Sequence, residues 1–454
     1  MKKSRVRKSN QSNKKSSIHF IGIGGIGVSA LAKYYLASGY RITGSDIKKT
    51  DITDELAKLG AEVATGPHKG TIIPRGTTRV IHTAAVPAGN PELRAAKRRR
   101  IPAHTYAEAI GELTKRYETI TISGAHGKST TTALAALVLE EGFCDPTVII
   151  GAKVKEFGDS NFRKGHGPYL VLEADEWNKS FLNYSPKIAV FTNIDAEHLD
   201  TYKNLDDIKA AFLEYTKKIP ADGALIANWD DPNVKDVAWQ SGKKVIWYSE
   251  KDRDAAEIKK HLKIAGAHNL SNALAAVRLG ALLGIPYPHI LKAISGFQGV
   301  GRRFELKVIT KNGAYIFSDY GHHPREIEAT IRAARERFPM RRIWCVYQPH
   351  QYQRLHYLWD EFKTAFDMAD RIMLLPVYDV AGRETETAKQ AVNAKLLAAE
   401  LARRGKRATH HATFQSAKSE ILKESHRGDV ILVMGAGDIY ALADELPHAG
   451  LTPH

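Results

Sequence analysis

The run ITISGAHGKSTTT at residues 120–132 places Lys128 and Ser129 directly after two glycines, Gly124 and Gly127. A β-branched stretch, a tight glycine loop and an alanine- and leucine-rich helix follow one another, which is how a chain builds a phosphate cradle. Glycine lets the loop N–H groups, those of Ala125 and His126 among them, approach phosphate oxygens. The helix starting near Lys128 turns its positive dipole end toward the same point, and the hydroxyl of Ser129, with Thr130 next to it, can hold Mg²⁺. The strict P-loop spacing would need glycine where Ile122 stands, so the loop is shortened to G-x-x-G-K-S. Lys128 reads as an exposed loop lysine that neutralises charge.

Two acidic clusters follow apolar runs. Residues 169–172 (YLVL) end in Glu173, Ala174, Asp175 and Glu176, and residues 187–192 (KIAVFT) are followed by Asn193, Asp195, Glu197, His198 and Asp200. Carboxylates at the C-terminal ends of parallel strands lie beside a phosphate loop, where a nucleotide-bound Mg²⁺ needs oxygen ligands. Both clusters therefore point to one site, although Glu173 and Asp175 could also cap a helix and His198 could be structural. Asn269 and Asn272 share a helix face and could read a base edge or cap the helix.

A second glycine loop comes earlier, in IHFIGIGGIG at residues 18–27. Gly22, Gly24 and Gly27 satisfy G-x-G-x-x-G, with Gly25 inside it, and Asp46 closes the next strand where a dinucleotide fold carries its ribose carboxylate. Alone, the pattern predicts a pyrophosphate at the first helix N-terminus, and it leaves a nicotinamide oxidoreductase open. Such an enzyme would leave Lys128, Ser129 and both acidic clusters idle.

These side chains must be positioned by a long α/β chain. At 454 residues the length implies about three domains. A strand over residues 80–83 and helices near 91–98 and 106–117 complete the first unit. From residue 301 strands near 304–318, 341–347, 371–377 and 429–433 alternate with helices. The polar loops of this last unit, residues 319–324 with His322 and residues 348–354 with His350 and Arg354, each follow a strand and so face a common cleft. The adjacent His322 and His323 do not read as a zinc site, because neighbours on an extended chain point apart. Two cysteines, Cys144 and Cys345, are too few for a disulfide framework. No apolar run is long enough to span a bilayer. The formal charge of +16 is concentrated at the start: residues 1–17 carry seven basic side chains and no acidic one, a composition that predicts a disordered tail. The body lacks the interleaved aromatic and basic strands of an RNA-binding module, so no stable nucleic-acid partner is expected.

Eight motifs stand in order: GIGGIG, GAHGKSTTT, EADE, TNIDAEHLDTY, HNLSN, GRRFE, DYGHHP and QPHQYQR. Together they resemble the Mur ligase family over residues 18–446. The resemblance implies a Rossmann-like N-terminal domain holding a UDP-sugar (18–117), a central P-loop ATPase-like domain (118–300) and a C-terminal Rossmann-like α/β domain taking the amino acid (301–454). The implied activity is ATP-dependent ligation of L-alanine to the lactyl carboxylate of UDP-N-acetylmuramate through an acyl phosphate, a cytoplasmic step of peptidoglycan precursor synthesis. The alternative within the family is a ligase that recycles murein peptide onto the same sugar. By this resemblance Lys128 and two Mg²⁺ ions neutralise the reacting anions, with Ser129 and Glu173 at one ion and His198 at the other. Asn269 and Asn272 lie near the adenine, and Arg303 and Asp319 close over the nucleotide. The glycine loop and Asp46 hold the sugar nucleotide, while His322, His350 and Arg354 meet the amine substrate. A monomer or weak homodimer without membrane insertion is expected. The chain departs from the family in three places. Lys209 lies a turn too early to be the carbamylated lysine of several relatives, EADE is followed by Trp177 and Asn178, and Gln351 stands where the family's QPH loop has its first arginine.

Overall fold

The computed structural model describes residues 16–198, 201–379, 384 and 386–446; residues 1–15 of the basic tail and Asp200 lie outside them. The described residues form three sheets in two compact units, one reaching to Leu113 and including Asn161–Lys164, the other formed by Thr114–Ser160 and the residues from Gly165 on. None of their helices is long and apolar enough to cross a membrane.

In the first unit strands β1 (Ser17–Ile21), β2 (Arg41–Asp46), β3 (Glu62–Thr65), β4 (Thr77–His82) and β5 (Ala103–Thr105) pair in parallel, in the order β3-β2-β1-β4-β5. Helices α1 (Ile26–Ala37), α2 (Asp51–Lys58), α3 (Pro91–Arg98) and α4 (Tyr106–Thr114) connect them. The order reverses between β1 and β4, and such a switch opens a crevice at the strand C-termini. The glycine loop sits there. Ser45 O accepts from the N–H groups of Gly22 (2.8 Å) and Ile23 (3.1 Å), and Asp46 accepts from Gly24 N–H (2.8 Å) and Lys48 N–H (3.2 Å). Asp46 thus brackets the loop with the carboxylate that the sequence pattern directs at a ribose.

Beneath that loop lies a buried polar cluster. Glu92 binds His19 Nε2 (2.8 Å), the Ser45 hydroxyl (2.9 Å) and His68 Nδ1 (2.7 Å), while His19 Nδ1 meets the Thr43 hydroxyl (2.7 Å). Burial alone would raise the Glu92 pKa, but the bonds from His19, His68 and Ser45 outweigh it and hold the carboxyl below its ordinary value. Helix α4 stops at Thr114, short of the expected residue 117, because Thr119 Oγ donates to Thr114 O (2.8 Å) as the chain turns into the next strand.

The second unit carries two sheets. Strands β6 (Glu118–Ser123), β7 (Thr147–Val154), β9 (Tyr169–Glu173), β10 (Ile188–Phe191), β11 (Ala224–Asn228) and β12 (Val245–Tyr248) run β12-β11-β10-β6-β9-β7; β8 (Ser160–Arg163) gives its residues from Asn161 to the first unit. The helices are α5 (Lys128–Glu141), α6 (Leu205–Thr216), α7 (Pro232–Gln240), α8 (Ala255–His261), α9 (Ala267–Leu282) and α10 (Tyr287–Gly296). Because β6 lies between β10 and β9, the loops that carry both acidic clusters flank the phosphate loop. Helix α5 is buried from Ser129 to Leu139, and α9 is buried around most of its length, so the loop is mounted on a buried helix that packs within one hydrophobic cluster.

The other sheet runs β13-β14-β18-β15-β16-β17, from β13 (Glu305–Ile309), β14 (Tyr315–Asp319), β15 (Ile343–Tyr347), β16 (Arg371–Leu374), β17 (Ala408–His410) and β18 (Val430–Met434). The stretch read as strand over 304–318 is an antiparallel hairpin, β13 to β14, in an otherwise parallel sheet. Since β18 separates β14 from β15, the loops after β14 and β15 open on the same edge, leading into α11 (Pro324–Arg337) and α12 (Tyr352–Tyr357).

Replacing Glu92 by alanine takes the acceptor from three donors, so Glu92→Ala should destabilise the first unit by about 3 kcal/mol. Urea unfolding followed by circular dichroism checks this, and an unchanged midpoint would show that the cluster contributes nothing to stability.

Candidate active site

The phosphate loop is held from both sides. Gly124 has φ +142°, and a Cβ there would lie 2.1 Å from Thr192 Oγ; Gly127 has φ +82°, and its Cβ would lie 2.3 Å from Asn272 Oδ1. Only glycine fits either position. The end of β10 clamps the loop tip: Asn193 Oδ1 accepts from His126 N–H (2.8 Å), and His126 O accepts from Thr192 Oγ (2.8 Å) and Asn193 Nδ2 (2.9 Å). From the other side Asn272 Oδ1 accepts from Thr131 Oγ (3.1 Å), and Asn269 Nδ2 donates to Ala265 O (2.6 Å). Both asparagines line a cavity of about 340 Å³, and in this conformation their amides bond to the protein.

Lys128 is not the exposed lysine that the loop suggested. Its Nζ donates to Gly124 O (2.6 Å) and to both oxygens of Glu176 (3.2 and 3.1 Å), and Glu176 is buried. The reason is the start of α5 within the loop, which turns the side chain back toward the loop carbonyls and the β9 cluster. Burial works against its charge, yet Glu176, Asp175 and Glu173 outweigh that and raise its pKa.

The carboxylates sort into two groups. Glu173, at the end of β9, lies by the Ser129 hydroxyl and accepts from Gly151 N–H (2.8 Å). His198 Nε2 stands 3.6 Å from Asp175 and 3.7 Å from Glu176. The ligand atoms of Asp175, Glu176 and His198 lie within 4.8 Å of one another, a spacing that suits a divalent cation. Burial pushes Glu173 and Glu176 above the ordinary carboxylate range, and a cation would reverse this.

The loops after β14 and β15 face this region. Asp319 accepts from the N–H groups of Phe304 and Gly321, both at 2.7 Å, and so fixes the turn that carries Arg303. Arg302 points the other way, donating to Gly435 O (2.7 Å) with its guanidinium over the rings of Tyr320 and Tyr440. Arg303 is thereby left facing Glu326 (3.1 Å). A cavity of about 340 Å³ lies between the phosphate loop and this face, lined by Ser129, Thr130, Asn269, Asn272, Arg303 and Asp319 among others.

A smaller recess, with room for one water-sized group (about 20 Å³), is lined by Ala196, Glu197, His198, Gln351, Gln353, Arg354, Tyr357 and Leu358. Arg354 pairs with Glu197 and donates to His350 O (3.0 Å). The His350 ring stacks on Tyr378, and the His322 ring lies 5.8 Å from it with Nε2 4.0 Å from Glu197. Opposing its burial, Arg354 holds the Glu197 carboxyl well below its usual range. Gln351 has φ +74°, and its side-chain amide makes no hydrogen bond among the described residues. Lys209 pairs with Asp236 on α7.

Sequence reasoning assigned no role to Glu176, Asp195, Glu197 or Glu326. The first three sat inside the acidic clusters but could not be ranked there. Glu326 carried a weak signal, since it stands three residues after His323 in the pattern of a capping box; its Oε2 accepts from the N–H groups of His322 (3.0 Å) and His323 (3.2 Å). Oε1 lies 3.4 Å from His126 Nδ1, whose Nε2 is 3.3 Å from Asp195.

Burial disfavours the charged form of His126, but Asp195 and Glu326 outweigh it and raise its pKa to about 9. A folded-state pKa above the unfolded value of 6.5 stabilises fully below that value and is lost as pH rises through about 9, amounting at most to roughly 3 kcal/mol. Urea midpoints between about pH 6 and 9.5 should fall with pH in the wild type and fall less in His126→Gln. Parallel curves would exclude the titration of His126 as the cause.

Comparison with known proteins gives three consecutive family matches: "Mur ligase family, catalytic domain" at residues 17–118, "Mur ligase middle domain" at 122–280 and "Mur ligase, glutamate ligase domain" at 302–437. A "UDP-N-acetylmuramate--L-alanine ligase" of Desulfatibacillum aliphaticivorans is 39% identical over 453 residues, covering 95% of this chain and 98% of the relative. The protein of the same name from Syntrophotalea carbinolica is 40% identical over 454 residues, covering 95% and 97%. Among solved structures, a UDP-N-acetylmuramate-alanine ligase from Thermotoga maritima matches with TM-score 0.79 at 28% identity, covering 95% of this chain and 98% of that one. A murein peptide ligase from Psychrobacter arcticus shares the fold, with TM-score 0.71 at 20% identity over 95% and 98%. The resemblance carried by eight short motifs extends along nearly the whole chain, which belongs to the Mur ligase family.

Proposed function

We propose that the protein joins L-alanine to the lactyl carboxylate of UDP-N-acetylmuramate, with ATP converted to ADP and phosphate, as a cytoplasmic step of peptidoglycan precursor synthesis. The observation that carries this reading is the position of His198. It faces the carboxylate that pairs with Lys128, and it also lines the recess that holds Arg354, so phosphate chemistry and amine chemistry share one centre. Relatives 39% and 40% identical along nearly the whole chain bear the name of an L-alanine ligase, which favours alanine over a whole peptide.

In this reading residues 18–117 take the sugar nucleotide at the glycine loop, 118–300 take ATP and 301–454 take the amino acid. ATP lies in the large cavity with its phosphates against the loop N–H groups and the start of α5. Two anions must meet before the acyl phosphate can form, and Lys128 offsets their repulsion. Arg303, held by Asp319 and steered by Arg302, covers the nucleotide and helps to keep water from the acyl phosphate. Arg354 receives the carboxylate of alanine, and Gln351 adds a neutral hydrogen bond. The donor set fits Mg²⁺: Ser129 and Glu173 would hold one ion, and His198, with Asp175 and Glu176, a second. When bound, these ions would neutralise charge on the phosphates.

Lys128→Met should lower ligation by about 10²–10³, as removal of one electrostatic group does. Because Glu176 loses its partner, thermal stability should fall as well, and near wild-type turnover at saturating ATP would sink the assignment. Arg354→Lys keeps a charge beside Glu197 but loses the planar fork, so the KM for L-alanine should rise about tenfold with that for ATP unchanged. Phosphate release with L-alanine varied decides this. An effect confined to ATP or the sugar would remove Arg354 from the amine site.

A further inference from the structure

Behind His126, at the N-terminus of α11, lies a side chain that the proposed ligation does not use. His323 is buried, with 2% of its surface exposed, and its Nδ1 accepts from Arg325 N–H (3.3 Å), capping the helix. Burial lowers its pKa to about 4, so the ring is neutral and carries a single proton. With Nδ1 accepting, that proton sits on Nε2. Nε2 has no hydrogen-bond partner, although a buried donor left unmade is costly.

The surroundings define what can satisfy it. The His126 ring lies 4.9 Å away, centroid to centroid, and both its nitrogens face carboxylates, so it has no lone pair to offer. Asp195 accepts from Ala196 N–H (2.8 Å) and pairs with Arg325 (2.9 Å). Polar atoms of His126, Asp195 and His323 lie within 4.8 Å of one another, so an atom at their centre can sit about 2.8 Å from each. A metal ion does not fit, because His323 Nδ1 is taken by the helix cap and Nε2 presents an N–H in place of a lone pair. An anion does not fit either, because Asp195 is a carboxylate. A hydroxyl or water oxygen does: it accepts from His323 Nε2 and donates to Asp195.

We propose that this cluster is a hydroxyl site next to the nucleotide cavity, whose lining includes His126 and Arg325, and that His323 is a specificity-determining residue that reads one ribose hydroxyl of ATP. ATP carries its alcohol hydroxyls on the ribose alone, and an ordered water is the other source of the same chemistry. The assignment rests on ATP being the nucleotide.

The test is phosphate release by the full-length protein with UDP-N-acetylmuramate and L-alanine saturating and with ATP, 2′-deoxy-ATP or 3′-deoxy-ATP varied. The wild type should show a KM at least tenfold higher for one of the two deoxy analogues than for ATP. In His323→Ser, which keeps a helix cap and removes the donor, that ratio should fall to about twofold because the KM for ATP rises. His323→Asn, which keeps both a cap and an N–H, should recover some of the ratio. Equal KM values for all three nucleotides in the wild type would mean that only water occupies the site, and a ratio unchanged in His323→Ser would mean that another residue reads the hydroxyl. Either result overturns the proposal while leaving ATP as substrate. No phosphate release from ATP at all would instead overturn the functional reading, and this site with it.

Discussion

Lys128 and Glu176 form the pair on which the rest of this site depends. A phosphate loop needs a cation to receive an anion, but between substrates that cation would be buried beside β9 without compensation. Glu176 supplies the counter-charge, and the same problem is solved three more times within the cleft. Arg303 meets Glu326, Arg354 meets Glu197, and His126 lies between Asp195 and Glu326. Each pair is buried enough that removing one partner leaves a charge that the protein interior solvates poorly. The cleft thus stores its positive charges in neutralised form, and arriving phosphates and carboxylates must compete for them. A site built this way favours anionic ligands that bring cations with them.

Much of this was legible in the sequence, because glycine and charge leave marks in a chain that packing does not. Gly124 and Gly127 announced a close backbone approach, and both would clash if given a side chain. Apolar runs followed by the acidic clusters of Glu173 and His198 announced strand ends, and the sheet order puts both ends beside the loop. What stayed hidden is pairing. Nothing in the spacing says that Lys128 turns back to Glu176 instead of facing solvent, or that Asp46 spends its carboxylate on Gly24 and Lys48. Those choices follow from where helices start relative to strands, a tertiary property. Glu326 was harder still, because its cap is a histidine, while the sequence signature of a capping box relies on serine or threonine.

The site also concentrates unusual backbone. His198, Arg302, Phe304 and Gln351 all have positive φ without being glycine. Each such residue carries a strain on the order of 1–3 kcal/mol, which persists only where its surroundings over-determine it. For Phe304 the constraint is visible: its N–H is fixed on Asp319, and the nearby Arg302 is clamped to Gly435 and two aromatic rings. The strain therefore aims Arg303. For His198 the constraint comes from its neighbour in the chain, Glu197, which Arg354 holds in place.

The start of α11 shows how far one helix terminus can be put to use. Its first turn offers unsatisfied N–H groups, as every helix does. Here the His323 ring and the Glu326 carboxylate cap them, and Glu326 then has its other oxygen left to face Arg303 and His126. A capping carboxylate placed over the phosphate loop thereby becomes the counter-charge for both Arg303 and His126. Moving α11 by even a fraction of a turn would unpair both of them together. The position of the third sheet's loops over the phosphate loop is therefore set by the same bonds that terminate the helix, so local folding and assembly of the cleft cannot be separated at this point.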